Sequence, residues 1–184
     1  MRPDQLKAAY LSGAVDKKAY IEQMAAMHEQ LFSYSRLLRQ SQVAAVRILP
    51  DEVRVAIQWP PIELSIPDGE MRVAPVEALN FGAYEPDEFA LVESLVRQLP
   101  ADRPLLIDVG GNVGYYSIGL RTLHPRLRVR AFEPVPATAA QFRNNCLINA
   151  CTDIELNEIA LSDHEGQVTL HVHPAYCVAA SEVN

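Results

Sequence analysis

The chain has 184 residues, with 49% apolar and 21% charged side chains and a net charge of −7. That is the balance of a folded globular protein, not of a disordered one. The isoelectric point near 5.2 argues against the basic face of a nucleic-acid binder. No apolar run approaches the roughly 20 residues needed to span a bilayer. The opening Met1-Arg2-Pro3-Asp4-Gln5 leads into a polar amphipathic stretch and not an apolar signal core. Neither nucleic acid nor a membrane is therefore an expected partner, and a cytoplasmic location is expected. Cys146, Cys151 and Cys177 form no C-x-x-C pair and are expected to be reduced thiols.

Residues 1–42 read as helical. Pro3 suits a first helical turn and Gly13 a stop, and Asp16 can cap a second, longer helix running to about Gln40. In that helix Tyr20, Met24, Met27, Leu31, Tyr34 and Leu38 lie on one stripe, expected to be a packing face. A coiled-coil partner helix is the alternative. Residues 43–80 change period. Val43–Leu49, Val53–Ile57 and Ile62–Ile66 are short β-type runs, parted by Pro50-Asp51, Trp59-Pro60-Pro61 and Pro67-Asp68-Gly69. These predict a small antiparallel meander.

Residues 81–184 alternate between the two periods. Pro86–Leu99 predicts a helix with Phe89, Val92, Leu95 and Val96 on one face. Leu105–Val109 is a continuous apolar run, as in a strand buried on both faces. A helix over Gly114–Leu123, a strand over Leu127–Phe132, a helix over Pro136–Asn149 and a strand over Ile154–Ala160 follow. Asp163–Gly166 is a turn and Gln167–Val172 a fourth strand, read as a hairpin arm. Alternation of this kind predicts an α/β fold with a parallel sheet.

Chemistry concentrates at three strand ends, in the crevice where open α/β sheets bind ligands. The first is Asp108-Val-Gly110-Gly111-Asn112-Val-Gly114, where a strand ends in an acid and passes through three glycines into a helix. Glycine serves where backbone takes φ > 0 or must lie against a ligand. The spacing does not fit the dinucleotide pattern G-x-G-x-x-G, because Asn112 stands where the second glycine belongs. A nicotinamide cofactor is therefore the lesser alternative. The second is Glu133-Pro134, about 20 residues past the glycine loop, as one strand–helix–strand unit requires. A carboxylate there can accept bonds from both hydroxyls of a ribose. The third is Asn157-Glu158-Ile159-Ala160, where small and apolar groups can sandwich a base.

Tyr84-Glu85-Pro86, Ile107–Ser117, Phe132-Glu133-Pro134 and Ala160–Asp163 with Gly166 together resemble the FkbM family of methyltransferases, over roughly residues 80–172. The loop has the D-x-G-x-x-x-G form of class I methyltransferases, with Gly111 where the family usually has alanine. The resemblance implies a Rossmann-like class I methyltransferase sheet, S-adenosylmethionine as methyl donor, and a hydroxyl of a small molecule or sugar as acceptor. Asp108, Gly110, Gly111, Asn112, Gly114, Glu133, Pro134, Glu158 and Ala160 become the candidate cofactor contacts. No residue identifies itself as a general base.

The family continues with a strand ending in Lys-x-Asp-x-Glu-Gly, which this chain lacks, so the sheet is expected to be incomplete. Leu105–Val109 would then be an uncovered aliphatic edge, open to self-association. A remnant without catalysis, serving as a cofactor-binding or interaction module, is the competing expectation. Ser162-Asp163-His164 are neighbours in sequence, which does not make a triad. His171 and His173 are two possible ligands without a third, so no metal is expected. Tyr84 and Glu85 are candidates to close over the cofactor, and Tyr115 or Tyr116 to touch it.

Overall fold

The computed structural model describes residues 1–100, 102, 104–167, 169–173 and 176–182, with residues 171–173 and 176–182 as backbone alone. The side chains of His171, His173 and Cys177 lie outside the described residues. The chain divides into two units, Met1–Gln40 and Ser41–Asn184.

The first unit is a helical hairpin, α1 (Pro3–Leu11) and α2 (Lys17–Leu37), ending in a 3-10 turn at Leu38–Gln40. Asp16 caps α2, its carboxylate accepting the Ala19 N–H at 2.9 Å. Between the helices Gly13 takes φ 78°, and Tyr10 stacks on Tyr20 with centroids 4.6 Å apart. With 9 residues against 21, α1 can cover less than half of α2 at about 1.5 Å per residue. Tyr20, Met24 and Met27 are half-buried, whereas Leu31, Phe32, Tyr34 and Leu37 are exposed.

The second unit begins with the meander β1 (Val43–Ile48), β2 (Val53–Ile57) and β3 (Glu63–Ile66), antiparallel in that order. Val55 and Leu64 are fully buried on its inner face. A helix that the residue pattern did not predict follows, α3 (Ala74–Phe81), with Pro75 in its first turn and Gly82 closing it at φ 85°.

Next come α4 (Pro86–Arg97), β4 (Leu105–Val109), α5 (Tyr115–Leu123), β5 (Arg128–Phe132), α6 (Pro136–Ile148) and β6 (Glu155–Asn157). The three strands are parallel in the order β4-β5-β6, with Asp108 opposite Ala131 and Phe132 opposite Asn157. This is the Rossmann-like α/β architecture expected. A hairpin of β7 (Leu170–His173) and β8 (Tyr176–Glu182) follows.

Two packing expectations are corrected. β4 is not buried on both faces: Leu105, Ile107 and Val109 are 42%, 57% and 62% exposed. β4 is the edge of its sheet, and among the described residues nothing covers that face. On α4, Leu95 faces solvent and Glu93 is buried instead. Glu93 accepts from Arg97 Nε at 2.5 Å and meets His124 Nε2 at 3.0 Å on the end of α5, so a paired acid takes the inward position.

Helix α6 ties the unit together. Asn145, fully buried, accepts the Ser65 N–H of β3 at 2.9 Å and donates to the Val113 carbonyl of the glycine loop at 2.8 Å. One amide thereby locks the meander to the loop after β4.

Candidate functional site

The loop after β4 is stitched to the end of β5. Both Gly110 and Gly111 donate their N–H to the Phe132 carbonyl, at 2.9 and 3.0 Å. Gly110 takes φ 79°, and a Cβ built there would meet nothing within 4 Å. Its open side faces a cavity. Gly114, the residue before α5, takes φ 91°, and a Cβ there would lie 2.5 Å from the Phe142 ring of α6. Gly111 is limited in the same way, at 2.8 Å from Phe142. Gly110 thus leaves room for a ligand, while Gly111 and Gly114 leave room for a phenylalanine.

Glu133 at the end of β5 reaches back to this loop. One oxygen accepts the Asn112 N–H at 2.9 Å and the other the Val135 N–H at 2.9 Å. It is 6% exposed. Burial pushes its carboxyl above the usual range, the two backbone N–H groups oppose that, and the nearby Asp108 charge adds to it. Asp108, last but one in β4, accepts the Ser117 hydroxyl at 2.6 Å. Burial raises its carboxyl too, against the Ser117 hydroxyl and N–H. Ser117, in the first turn of α5, was not singled out by the sequence. Its hydroxyl in a helical turn facing a strand-end acid was the available signal.

A cavity of about 400 Å³ opens beside the loop, lined by Ala74, Tyr84, Glu85, Asp108, Val109, Gly110, Gly111, Asn112, Val113, Tyr115 and Tyr116. That volume lies within the range of small-molecule sites, about 300–1,000 Å³. Asn112 is one of these lining residues, and its side-chain oxygen is buried without a hydrogen-bond partner. Asn112 also takes φ 47°. The far wall is the segment before α4. The Tyr115 hydroxyl donates to the Tyr84 carbonyl at 3.2 Å, and the Tyr116 hydroxyl donates to the Glu85 carboxylate at 2.7 Å. Burial, with Glu85 nearby, pushes the hydroxyls of Tyr84, Tyr115 and Tyr116 well above their usual range.

The structure gathers Asp108, Gly110, Gly111 and Asn112 on this cavity, with Gly114 and Glu133 directly behind it. Pro134 is half-buried beyond Glu133. Glu158 and Ala160 are exposed in the segment after β6 and do not line the cavity. Glu158 pairs with Arg143, and Ala160 belongs to a separate hollow with Leu161, His164 and Leu170. In Ser162-Asp163-His164 one ring nitrogen meets both neighbours, Asp163 at 2.7 Å and Ser162 at 3.3 Å. A relay needs the two nitrogens to face different partners. Among the described residues no group of three or more side chains could hold a metal ion, and no helix is long and apolar enough to cross a membrane.

No family model matches the chain. It is similar to Methyltransferase 1 of Beauveria bassiana, with 26% identity over 73 residues, covering 40% of this chain and 29% of that protein. It is similar to the AMB antimetabolite synthetase AmbE of Pseudomonas aeruginosa, with 34% identity over 118 residues, covering 62% of this chain and 5% of that protein. It is also similar to the 2-O-methyltransferase NoeI of Sinorhizobium fredii, with 31% identity over 77 residues, covering 42% of this chain and 31% of that protein. The chain therefore spans less than a third of the length of each of these relatives.

Proposed function

We propose that this chain is the cofactor-binding part of an S-adenosylmethionine-dependent methyltransferase of the FkbM type, acting on a hydroxyl oxygen of a small molecule or sugar. One observation carries the reading. Gly110 with its open side, Asn112 and Asp108 line a single cavity at the end of a parallel strand. Similarity to proteins named methyltransferases, one of them a 2-O-methyltransferase, supports the same reaction class.

Within this reading the cofactor brings a methyl group on a sulfonium, to be displaced in line by an acceptor oxygen. The chain's own residues position it. Backbone at Gly110 and Gly111 lies against the ligand, Asn112 lines its site, and Asp108, anchored by Ser117, orients it. Glu133 fixes the loop through the Asn112 N–H. It stands behind the cavity with both oxygens bonded to backbone, so the role we assign it is to hold the loop in shape. Orientation matters because the displacement needs acceptor and donor at about 3–3.5 Å.

Isothermal calorimetry with S-adenosylmethionine, its demethylated product S-adenosylhomocysteine, and NAD tests the proposal. Saturable binding of the first two and none of NAD is expected. NAD binding in preference to both would overturn it. A Gly110→Val variant, which fills the open side of the loop, is expected to lose binding by at least about tenfold.

A further inference from the structure

The order β1-β2-β3 leaves β3 at one edge of the meander. An edge strand carries backbone N–H and C=O groups without strand partners. Here helix α6 supplies the partners. Gln141, Asn145 and Asn149, spaced four apart along α6 and its cap, stand on one face of the helix. The Asn149 amide serves both backbone groups of Glu63, accepting the N–H at 2.8 Å and donating to the carbonyl at 2.7 Å. Asn145 does not repeat this at Ser65. Its oxygen accepts the Ser65 N–H at 2.9 Å, but its nitrogen donates to the Val113 carbonyl at 2.8 Å. The Ser65 carbonyl is left to Gln141, which donates to it at 3.0 Å. Side-chain amides thus pair the N–H and C=O of both Glu63 and Ser65, and the middle amide is the one diverted to the glycine loop.

That diversion has a consequence for the loop. Val113 is 1% exposed, so its carbonyl, once released, is either buried without a partner or swings away to find one. Gly114 follows it at φ 91°, and glycine lets the peptide between them rotate with little steric resistance. The Phe142 ring fills the space beside Gly111 and Gly114 but offers that carbonyl no donor. We infer that Asn145 is a positioning residue for the cofactor loop. It holds the 113–114 peptide, and through it the backbone of residues 110–113 that lines the cavity. Ser65 fixes the other end of the same amide, so the meander is the anchor of that hold. This deepens the proposed function and rests on it.

The test compares the wild type with Asn145→Leu and Asn149→Leu, each well below its thermal midpoint. Both substitutions strip β3 of amide partners, and both are expected to lower that midpoint. Only Asn145→Leu releases Val113. It is expected to weaken S-adenosylhomocysteine binding, read by calorimetry, at least about tenfold. Asn149→Leu is expected to stay within about twofold of the wild type. In the ligand-free chain, peptides covering residues 110–114 are expected to exchange their amide hydrogens faster in Asn145→Leu and unchanged in Asn149→Leu. If Asn145→Leu does not fold, Asn145→Ser takes its place, because a water beside the short side chain can reach both orphaned groups. A smaller loss in the same direction is then expected. A purely structural tie moves the midpoint in both variants and the affinity in neither, and that result overturns the inference, as does an equal loss of affinity in both. Either leaves the cofactor assignment standing. Failure of the wild type to bind S-adenosylmethionine and S-adenosylhomocysteine overturns the cofactor assignment, and this inference with it.

Discussion

The ends of β4 and β6 are built differently, although the residue pattern assigned both to one site. After β4 the chain is pinned at every step. Gly110 and Gly111 bond to β5, Glu133 holds Asn112, Asn145 holds Val113, and Phe142 fills the space left by Gly111 and Gly114. After β6 the chain is exposed, and Glu158 has a surface ion pair. A binding loop needs partners behind it as well as a ligand in front. The first region has them and the second does not.

That contrast can be broken by substitution. The largest effect is expected at Gly114→Ala, where a β-carbon meets the Phe142 ring in a backbone conformation that disfavours one. A loss of about 3 kcal/mol is expected in urea unfolding; a loss under about 1 kcal/mol would show that the loop relaxes freely. Asn145→Leu leaves the Ser65 N–H and the Val113 carbonyl buried without partners. It is expected to cost about 2–3 kcal/mol, and an unchanged unfolding midpoint would contradict the account of α6 as the tie. Glu133→Gln replaces one accepting oxygen with an amide that faces an N–H, for an expected loss of about 1–3 kcal/mol, read by the same method. Glu158→Ala, in the contrasting region, is expected to stay within about 0.5 kcal/mol. Equal losses at Glu133 and Glu158 would erase the distinction between the two ends.

Titration sharpens the same comparison. Burial raises the Asp108 and Glu133 carboxyls above their unfolded values. As pH falls from neutral, the folded chain therefore takes up these protons before the unfolded chain does. Their stabilising contribution is complete below the unfolded carboxylate range and is lost as pH rises through the folded values. Asp108→Asn removes one of these titrations. Its stability relative to the wild type is expected to rise with pH over that window, measured as paired thermal midpoints across a pH series. Parallel curves would show that Asp108 is not desolvated.

Much of this was legible in the residues. Asp108, the glycines and the helix start after them announce a strand–loop–helix joint, and the turn residues of the meander announce its strands. What escaped depends on distant neighbours. The exposure of Ile107 and Val109 was expected of an uncovered edge but not of a continuous apolar run, and it follows from the place of β4 at the sheet edge. The inward turn of Glu93 needs His124, 31 residues away. The short helix α3 carried its signals, Pro75 and Gly82, in a stretch too brief for a period to show. The Tyr116–Glu85 contact also spans 31 residues, so the pattern could name both residues without joining them.

Hydrogen exchange of the backbone amides, with and without saturating S-adenosylhomocysteine, tests the central claim most directly. Slowed exchange is expected in peptides covering residues 108–116 and 84–86, with no change over 158–166. Binding that leaves the amides of 110–112 unprotected, or that protects 158–166 instead, would contradict the account.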